Sequence, residues 1–302
     1  MSQSNDQTGD SRAGFFYALA AYVLWGFLPL YMKALAHIPP VEVVAHRAIW
    51  SVPVALAVLV WLGRTADLRA ALANPRMLAM AALTAAIISV NWGIYVWAIG
   101  AGHALDAALG YYVNPLFSIL LGAVLLGERL RGIQWLAIAS ASVAVAILTW
   151  ETGRLPLVAM GLFLTWGFYA YFKRRLPIGP NQGFALEVLI LAPFGLAYAV
   201  WLAVQGGGHF AVGMPGDTWL LVGCGIVTAG PLMIYANGAK RLRLSTIAIM
   251  QYIAPTLIFL TAVFLFDEPF SATKLVAFGF IWAALVIYSW SILRRRPVVT
   301  AG

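Results

Sequence analysis

From residue 14 onward, long apolar runs alternate with short polar breaks, and almost every run is long enough to cross a bilayer. About 20 consecutive, mostly apolar residues span the hydrocarbon core as one helix. The chain supplies ten such runs, near 14–36, 40–62, 77–99, 103–126, 132–150, 155–173, 181–204, 218–239, 245–266 and 271–293. The breaks are short and marked by proline or glycine, as in "AHIPP", "ANPR", "LPIGP" and "QGGGHF", where helices end easily. No stretch is left over for a soluble domain. The pattern predicts an all-α integral membrane protein with ten transmembrane helices.

Composition agrees with this and removes other classes. The chain is 62% hydrophobic and 10% charged, against roughly 25% charged in soluble domains. A net charge of +8 does not imply nucleic acid here, because the basic residues flank the spans. With the N-terminus in the cytosol, fifteen of the nineteen lysines and arginines fall on cytosolic connections and tails, including Lys173-Arg174-Arg175 and Arg294-Arg295-Arg296. That bias is the positive-inside signature. It predicts a bacterial-type inner-membrane protein with both termini cytoplasmic. The polar tail "MSQSNDQTGDSRAG" lacks a cleavable signal, so the first helix is expected to be retained. The single cysteine, Cys224, cannot form an intrachain disulfide, and the four histidines show no metal-ligand spacing. No cofactor is expected.

The two halves echo each other. Trp25-Gly26-Phe27 recurs as Trp166-Gly167-Phe168, and Pro39 as Pro180, at an offset of 141. Tyr95 recurs as Tyr235, Tyr112 as Tyr252, Pro115 as Pro255 and Glu128 as Glu268, all at 140. Each half holds five spans, and an odd number inserts the second half upside down. Inverted repeats around a midplane site suit alternating access. The chain then divides into a cytoplasmic tail 1–13, a first repeat 14–150, a second repeat 151–293 and a basic cytoplasmic tail 294–302.

The segments "YVLWGFLPLYMKAL", "HRAIWSVP", "SVNWGIYVWAIGAGHALDAALGYYVNPLFSILLGAVLLGERL" and "QYIAPTLIFLTAVFLFDEP" resemble the RarD branch of the EamA family, in the drug/metabolite transporter superfamily. The resemblance runs from Gly14 to Arg294 and is most specific in the third and fourth spans. It implies ten helices in two inverted EamA-type repeats, with a substrate path between them. It also implies export, since the wider family exports amino acids and other small metabolites. The branch name is linked to chloramphenicol sensitivity, and no physiological substrate follows from it.

Candidate chemistry gathers at the membrane centre. Counting ~1.5 Å per residue, Trp25, Trp166, Asn114-Pro115 and Ala254-Pro255 share one level. Pro115 and Pro255 each free a carbonyl one turn earlier, near Tyr111 and Gln251. Freed carbonyls are tolerated where protein or a watery cavity satisfies them. Trp25, Tyr111, Tyr112, Asn114, Trp166, Gln251 and Tyr252 are therefore expected at a substrate site. Asn91 and Tyr95, one turn apart, and Tyr235 in the matching span are expected beside them. Kinks and interhelical bonds are the competing account of the polar residues, and close packing that of the two Trp-Gly pairs.

Ionisable residues inside spans are functional candidates by default. Arg47 either snorkels outward or, with helix tilt, approaches Glu187. Glu187 is either a proton-coupling carboxylate or a partner for the nearby "KRR" segment. Asp106 reads as the N-cap of the fourth span, with a gate or relay as the other reading. Glu128 and Glu268 end repeat-equivalent helices at opposite faces, as ion-pair, structural or gating residues. The expected partners are a small-molecule substrate, amino-acid-like or amphipathic, and the lipid bilayer, with the chain a monomer or homodimer. Two rival classes stand beside a secondary transporter. A membrane enzyme acting on lipid or isoprenoid substrates needs acids or histidines clustered at one face, and the outer loops are poor in them. A channel needs rings of like residues. "GAVLLGER" has the glycine spacing of a phosphate loop, but Glu128 replaces its lysine and would repel phosphate.

Overall fold

The computed structural model describes residues 11–127, 129–212, 214–239 and 241–293. Glu128 and the basic tail 294–302 lie outside the described residues. Among the described residues the chain is helical, with no sheet. The helices are α1 (Arg12–Ala34), α2 (Pro40–Trp61), α3 (Thr65–Leu72), α4 (Pro75–Gly100), α5 (Ala104–Leu126) and α6 (Gly132–Thr152). They continue as α7 (Leu157–Arg175), α8 (Pro180–Gln205), α9 (Pro215–Ala239), α10 (Leu244–Met250), α11 (Ile253–Phe264) and α12 (Ala272–Leu293). Nine segments among the described residues are long and apolar enough to cross a membrane, with Ser245–Phe264 counted as one. The remaining apolar run, 155–173, forms α7, a 19-residue helix with Lys173, Arg174 and Arg175 in its last turn.

Helix ends follow local chemistry. Pro40, Pro75 and Pro180 open their helices, where the missing N–H costs nothing. Before Pro75, Asn74 Oδ1 accepts the N–H groups of Arg76 at 3.0 Å and Met77 at 3.2 Å. At the other end of α8, Gly206 adopts φ 67°, a left-handed cap that glycine tolerates without strain.

Two features depart from the apolar pattern. The connection after α2 carries the short helix α3, which buries Leu68 and Ala71 and accepts a hydrogen bond from Gln182 at Asp67 (3.0 Å). At eight residues it docks against α8 and is too short to span. The ninth run is broken, α10 stopping at Met250 and α11 resuming at Ile253, with Gln251 and Tyr252 in a turn between them. Its counterpart α5 runs unbroken through Pro115. The two prolines thus do not disrupt their helices equally. A proline removes one helical bond and bends the axis. Gln251 (φ −61°, ψ −18°) and Tyr252 (φ −76°, ψ −12°) stay in right-handed helical geometry. The Tyr252 N–H turns to the Ile249 carbonyl three residues back, so the interruption is a tightened turn in the helical ladder.

Packing interleaves the two halves of the chain. The central helix α2 lies against α8 and α9, α1 against α9 and α11, and α5 against α7 and α11. The α4 helix packs on α7 and α8, while α6 and α12 pair with each other. Membrane helices associate largely through close packing, and glycines set the approach at several crossings. A Cβ on Gly195 would lie 2.9 Å from the Ala45 carbonyl. One on Gly225 would overlap the Trp50 carbonyl. Gly26 sits directly against Leu257 of α11, and Gly167 against Phe117 of α5. The Trp-Gly pairs are therefore close-packing positions at their glycines.

Both described chain ends lie on one face of the bundle. The Ser11 N–H donates to the Arg241 carbonyl at 3.2 Å, α10 follows directly, and α10 packs on α12. We call this the terminal face. Toward the opposite face the centre is a closely buried apolar core, with Leu35, Ile99, Ala104, Leu105, Leu221, Ile258 and Ala262 all 3% exposed or less.

Candidate functional site

The interior holds a cavity of about 190 Å³ at mid-bundle, lined by residues of α1, α2, α4, α5, α7 and α9 and of the α10–α11 segment. From α1 come Tyr22, Trp25 and Leu28, spaced three apart on one helical face. Tyr111 and Asn114 of α5 repeat that spacing. Arg47, Tyr95, Trp166 and Tyr235 each enter from a separate helix, and Gln251, Ala254, Pro255 and Ile258 line the break between α10 and α11.

The aromatic lining falls into two groups. Tyr22, Trp25 and Tyr235 contact one another with ring centroids 5.5–5.7 Å apart. Across the cavity Tyr111 meets Tyr95 at 5.8 Å and Trp166 at 6.3 Å. Polar groups are few. The Arg47 Nε–H donates to Thr228 Oγ1 at 3.0 Å, and its guanidinium lies 4.7 Å from the centre of the Trp92 ring. Arg47 is 4% exposed. Its Nη1, the Tyr95 hydroxyl and Asn114 Oδ1 are buried without a hydrogen-bond partner.

Of the ten residues expected at the site from the sequence, Trp25, Tyr95, Tyr111, Asn114, Trp166, Tyr235 and Gln251 line this cavity. Asn91 stands behind it. Its Nδ2 donates to the Leu162 carbonyl at 3.2 Å and to Thr165 Oγ1 at 2.8 Å, tying α4 to α7. Tyr112 and Tyr252 face away from the cavity. Each follows a lining residue by one position, a turn of about 100°, and both line a groove between α11 and α12. There the Tyr112 hydroxyl bonds Thr256 Oγ1 at 2.7 Å. Tyr22, Leu28 and Ile258 are lining residues that the repeat did not flag. Tyr22 aligns with Phe163 at the offset of 141, so no matched polar pair marked it; its position one turn before Trp25 was the available signal.

The ionisable candidates separate clearly. Arg47 and Glu187 do not pair. Glu187 is 1% exposed and meets Lys173 Nζ at 2.6 Å. It also accepts from Thr84 Oγ1 at 2.7 Å and from the Tyr169 hydroxyl at 3.1 Å. Asp106 is not the N-cap of α5. It lies in the first turn, 3.2 Å from His103 Nδ1. Glu268 instead receives the free N–H groups of Ala104 at 2.7 Å and Leu105 at 2.8 Å, a carboxylate on a helix N-terminus. It comes from 164 residues away, beyond the reach of any local capping pattern. Two more acids join the halves at that same face, opposite the terminal one. Glu42 accepts from the His209 N–H at 2.7 Å and faces its Nδ1 at 2.8 Å, and Asp217 lies 2.9 Å from His37 Nε2. Among the described residues no group of three or more histidines, cysteines or acids could hold a metal.

The profile of the EamA-like transporter family matches residues 12–150. An uncharacterized transporter of Vibrio cholerae is 41% identical over 285 residues, covering 93% of each chain. Protein RarD of Streptomyces exfoliatus is 40% identical over 94% of this chain and 90% of its own. Protein RarD of Escherichia coli is 37% identical over 92% and 94% respectively. A solved crystal structure, 22% identical, superposes with a TM-score of 0.63 over 95% of this chain and all of the other; that likeness concerns the fold alone. By these relatives, the chain belongs to the RarD branch of the EamA-like transporters in the drug/metabolite transporter superfamily, and is a secondary transporter rather than an enzyme.

Proposed function

We propose that the chain exports a small organic metabolite across the bacterial inner membrane by alternating access around the mid-bundle cavity. The observation that carries this reading is the composition of the cavity wall. Its residues come from both halves, 14–150 and 151–293, and include repeat-equivalent pairs: Trp25 with Trp166, Tyr95 with Tyr235, and Tyr111 with Gln251. Gly26 against Leu257 and Gly167 against Phe117 are also one contact seen twice, since Phe117 and Leu257 are 140 apart. Helix pairing exchanges in the same way: α1 on α11 answers α5 on α7, and α1 on α9 answers α4 on α7. Such pairing is expected of two inverted five-helix repeats with α7 as a tenth span. Lys173 is bearable at the end of that span because Glu187 neutralises it.

The positive-inside bias makes the terminal face cytoplasmic, and the sealed apolar core then closes the outer side. A solute in the cavity is separated from the outside by that core and by Glu268 holding the end of α5. Rocking one half against the other would open it. The sense of net flux follows the family resemblance. Glu187, with three partners, serves as a structural ion pair in this reading, and Glu268 as a latch of the outer gate. A channel is disfavoured because the cavity lining is asymmetric in residue type and enclosed toward the outer side.

Counterflow in proteoliposomes, screened with a library of labelled small metabolites, tests this reading. At least one solute should exchange, and Trp25→Ala, Asn114→Ala and Gln251→Ala should each slow exchange about tenfold or more while assembling normally. Retention of full exchange by all three, or no exchange of any solute, would overturn it.

A further inference from the structure

We infer that the cavity selects an anionic solute, an organic acid whose carboxylate sits on Arg47 and whose planar body lies between the two aromatic groups. The inference rests on the cavity being the substrate site. Its basis is a charge that the protein leaves unanswered. A cation buried at bilayer depth is costly unless paired. Among the described residues the buried acids all have partners, Glu268 two backbone N–H groups and the others a basic side chain. Glu187 has Lys173, Glu42 has His209 and Asp217 has His37. Arg47 is as deeply buried as these acids, at 4% exposed, yet among the described residues no carboxylate lies within ion-pair reach of it. Its fixed contacts are neutral, a hydroxyl at Nε and the face of Trp92. These hold the guanidinium in one place and leave Nη1 without a partner.

No acid lines the cavity, so the counter-charge must arrive with the occupant. A carboxylate accepts hydrogen bonds only, and the guanidinium offers it charge-assisted donors in fixed geometry. The Tyr95 hydroxyl, buried and unpartnered beside the same cavity, supplies a further donor. Trp25 and Trp166, one from each aromatic group, line the space left for the body of the solute. An organic cation would meet Arg47 at close range with nothing to offset the repulsion. A neutral isostere would leave the buried charge uncompensated.

Equilibrium binding to the purified full chain in detergent tests this, using radiolabelled phenylacetate displaced by unlabelled phenylacetate, phenylacetamide or phenethylamine. The acid should bind at least about tenfold tighter than the amide, as expected for a hydrogen bond to a charged group, and the amine most weakly. In Arg47→Gln the preference for acid over amide should fall to about twofold or less, with amide affinity kept. Arg47→Lys, which keeps the charge and loses the fork, should retain part of the preference. The wild-type series decides by itself if Arg47→Gln does not assemble. The inference is overturned by equal binding of acid and amide, by tighter binding of the amine, by no binding of phenylacetate at millimolar concentration, or by a preference that survives Arg47→Gln. It is also overturned if chloride at the concentration of the acid abolishes acid binding, which would mark a site for an inorganic anion. Acid binding without counterflow of any solute would remove the transporter reading and leave the anion site. Counterflow of amines or neutral solutes alone would do the reverse.

Discussion

Glu187 and Arg47 are both ionisable, both within apolar runs and both almost fully buried, at 1% and 4% exposed, yet they live in opposite circumstances. The acceptors of Glu187 are spoken for by Lys173, Thr84 and Tyr169, contributed by α7 and α4 around its own α8. Arg47 has one hydroxyl, one ring face and an unfilled nitrogen beside a cavity. A buried charge whose partners are complete joins elements together; one with a partner missing fits the anionic solute inferred above. Burial does not separate the two, and the inventory of partners does.

The largest effect should come from breaking the complete cluster. Glu187→Ala leaves Lys173 without its counter-charge and should lower stability by about 3–5 kcal/mol, read as thermal unfolding in detergent. Replacing both partners, Glu187→Gln with Lys173→Met, should recover most of that loss. Arg47→Gln strands no opposite charge and loses only the bond to the Thr228 hydroxyl, so its cost to stability should be far smaller while exchange is lost. If Arg47→Gln unfolds the protein as Glu187→Ala does, the contrast fails. If Glu187→Gln folds well but its transport ignores a pH gradient that drives wild type, Glu187 is a coupling residue after all.

A smaller loss is expected at the helix-glycine contacts, which test whether the two halves are equivalent. Gly26→Ala places a methyl 2.5 Å from Leu257 Cβ, and Gly167→Ala drives one into the Phe117 ring. Each should cost about 1–3 kcal/mol by overpacking. Phe117→Ala should offset Gly167→Ala and do nothing for Gly26→Ala. The reverse change, Leu257→Gly, which removes the clashing Cβ, should rescue only Gly26→Ala. Cross-rescue in a thermal-shift matrix would mean that the two contacts are not separate.

Glu268→Gln comes next. The N–H groups of Ala104 and Leu105 lose their charged acceptor, and a capping residue on a helix N-terminus contributes ~1 kcal/mol. Stability should drop by about that much. The end of α5 should exchange its amide hydrogens faster, and the α5 segment around Asn114 should not.

What could be read from the chain beforehand depends on the range of the interaction. Apolar runs announce spans because each span meets lipid on its own, and the described helices follow the predicted runs closely. The break at Gln251-Tyr252 was signalled by Pro255, but the continuity of α5 through Pro115 was not, because the same local chemistry is resolved by different neighbours. Most of the cavity was legible, since the repeat pairs Trp25 with Trp166 and Tyr95 with Tyr235. Rotation about the helix axis was not. Depth alone put Tyr111 and Tyr112 at one level, and packing decides which of the two faces inward. Contacts between distant segments, such as Glu268 on Ala104 or Lys173 on Glu187, leave no spacing pattern to read.

The neighbouring tyrosines give the smallest and most discriminating test of that last point. Tyr111 and Tyr112 are chemically identical and adjacent, so any difference between them reports only which side of α5 each occupies. Tyr112→Phe removes one hydrogen bond, to Thr256 Oγ1 at 2.7 Å, and should cost about 1 kcal/mol or less, with solute exchange unchanged. Tyr111→Ala should remove a cavity wall between Tyr95 and Trp166 and weaken solute binding while Tyr112→Ala leaves it intact. Equal losses of binding from Tyr111→Ala and Tyr112→Ala would mean that solute reaches both faces of α5. The groove beside Trp282 would then be a second part of the path.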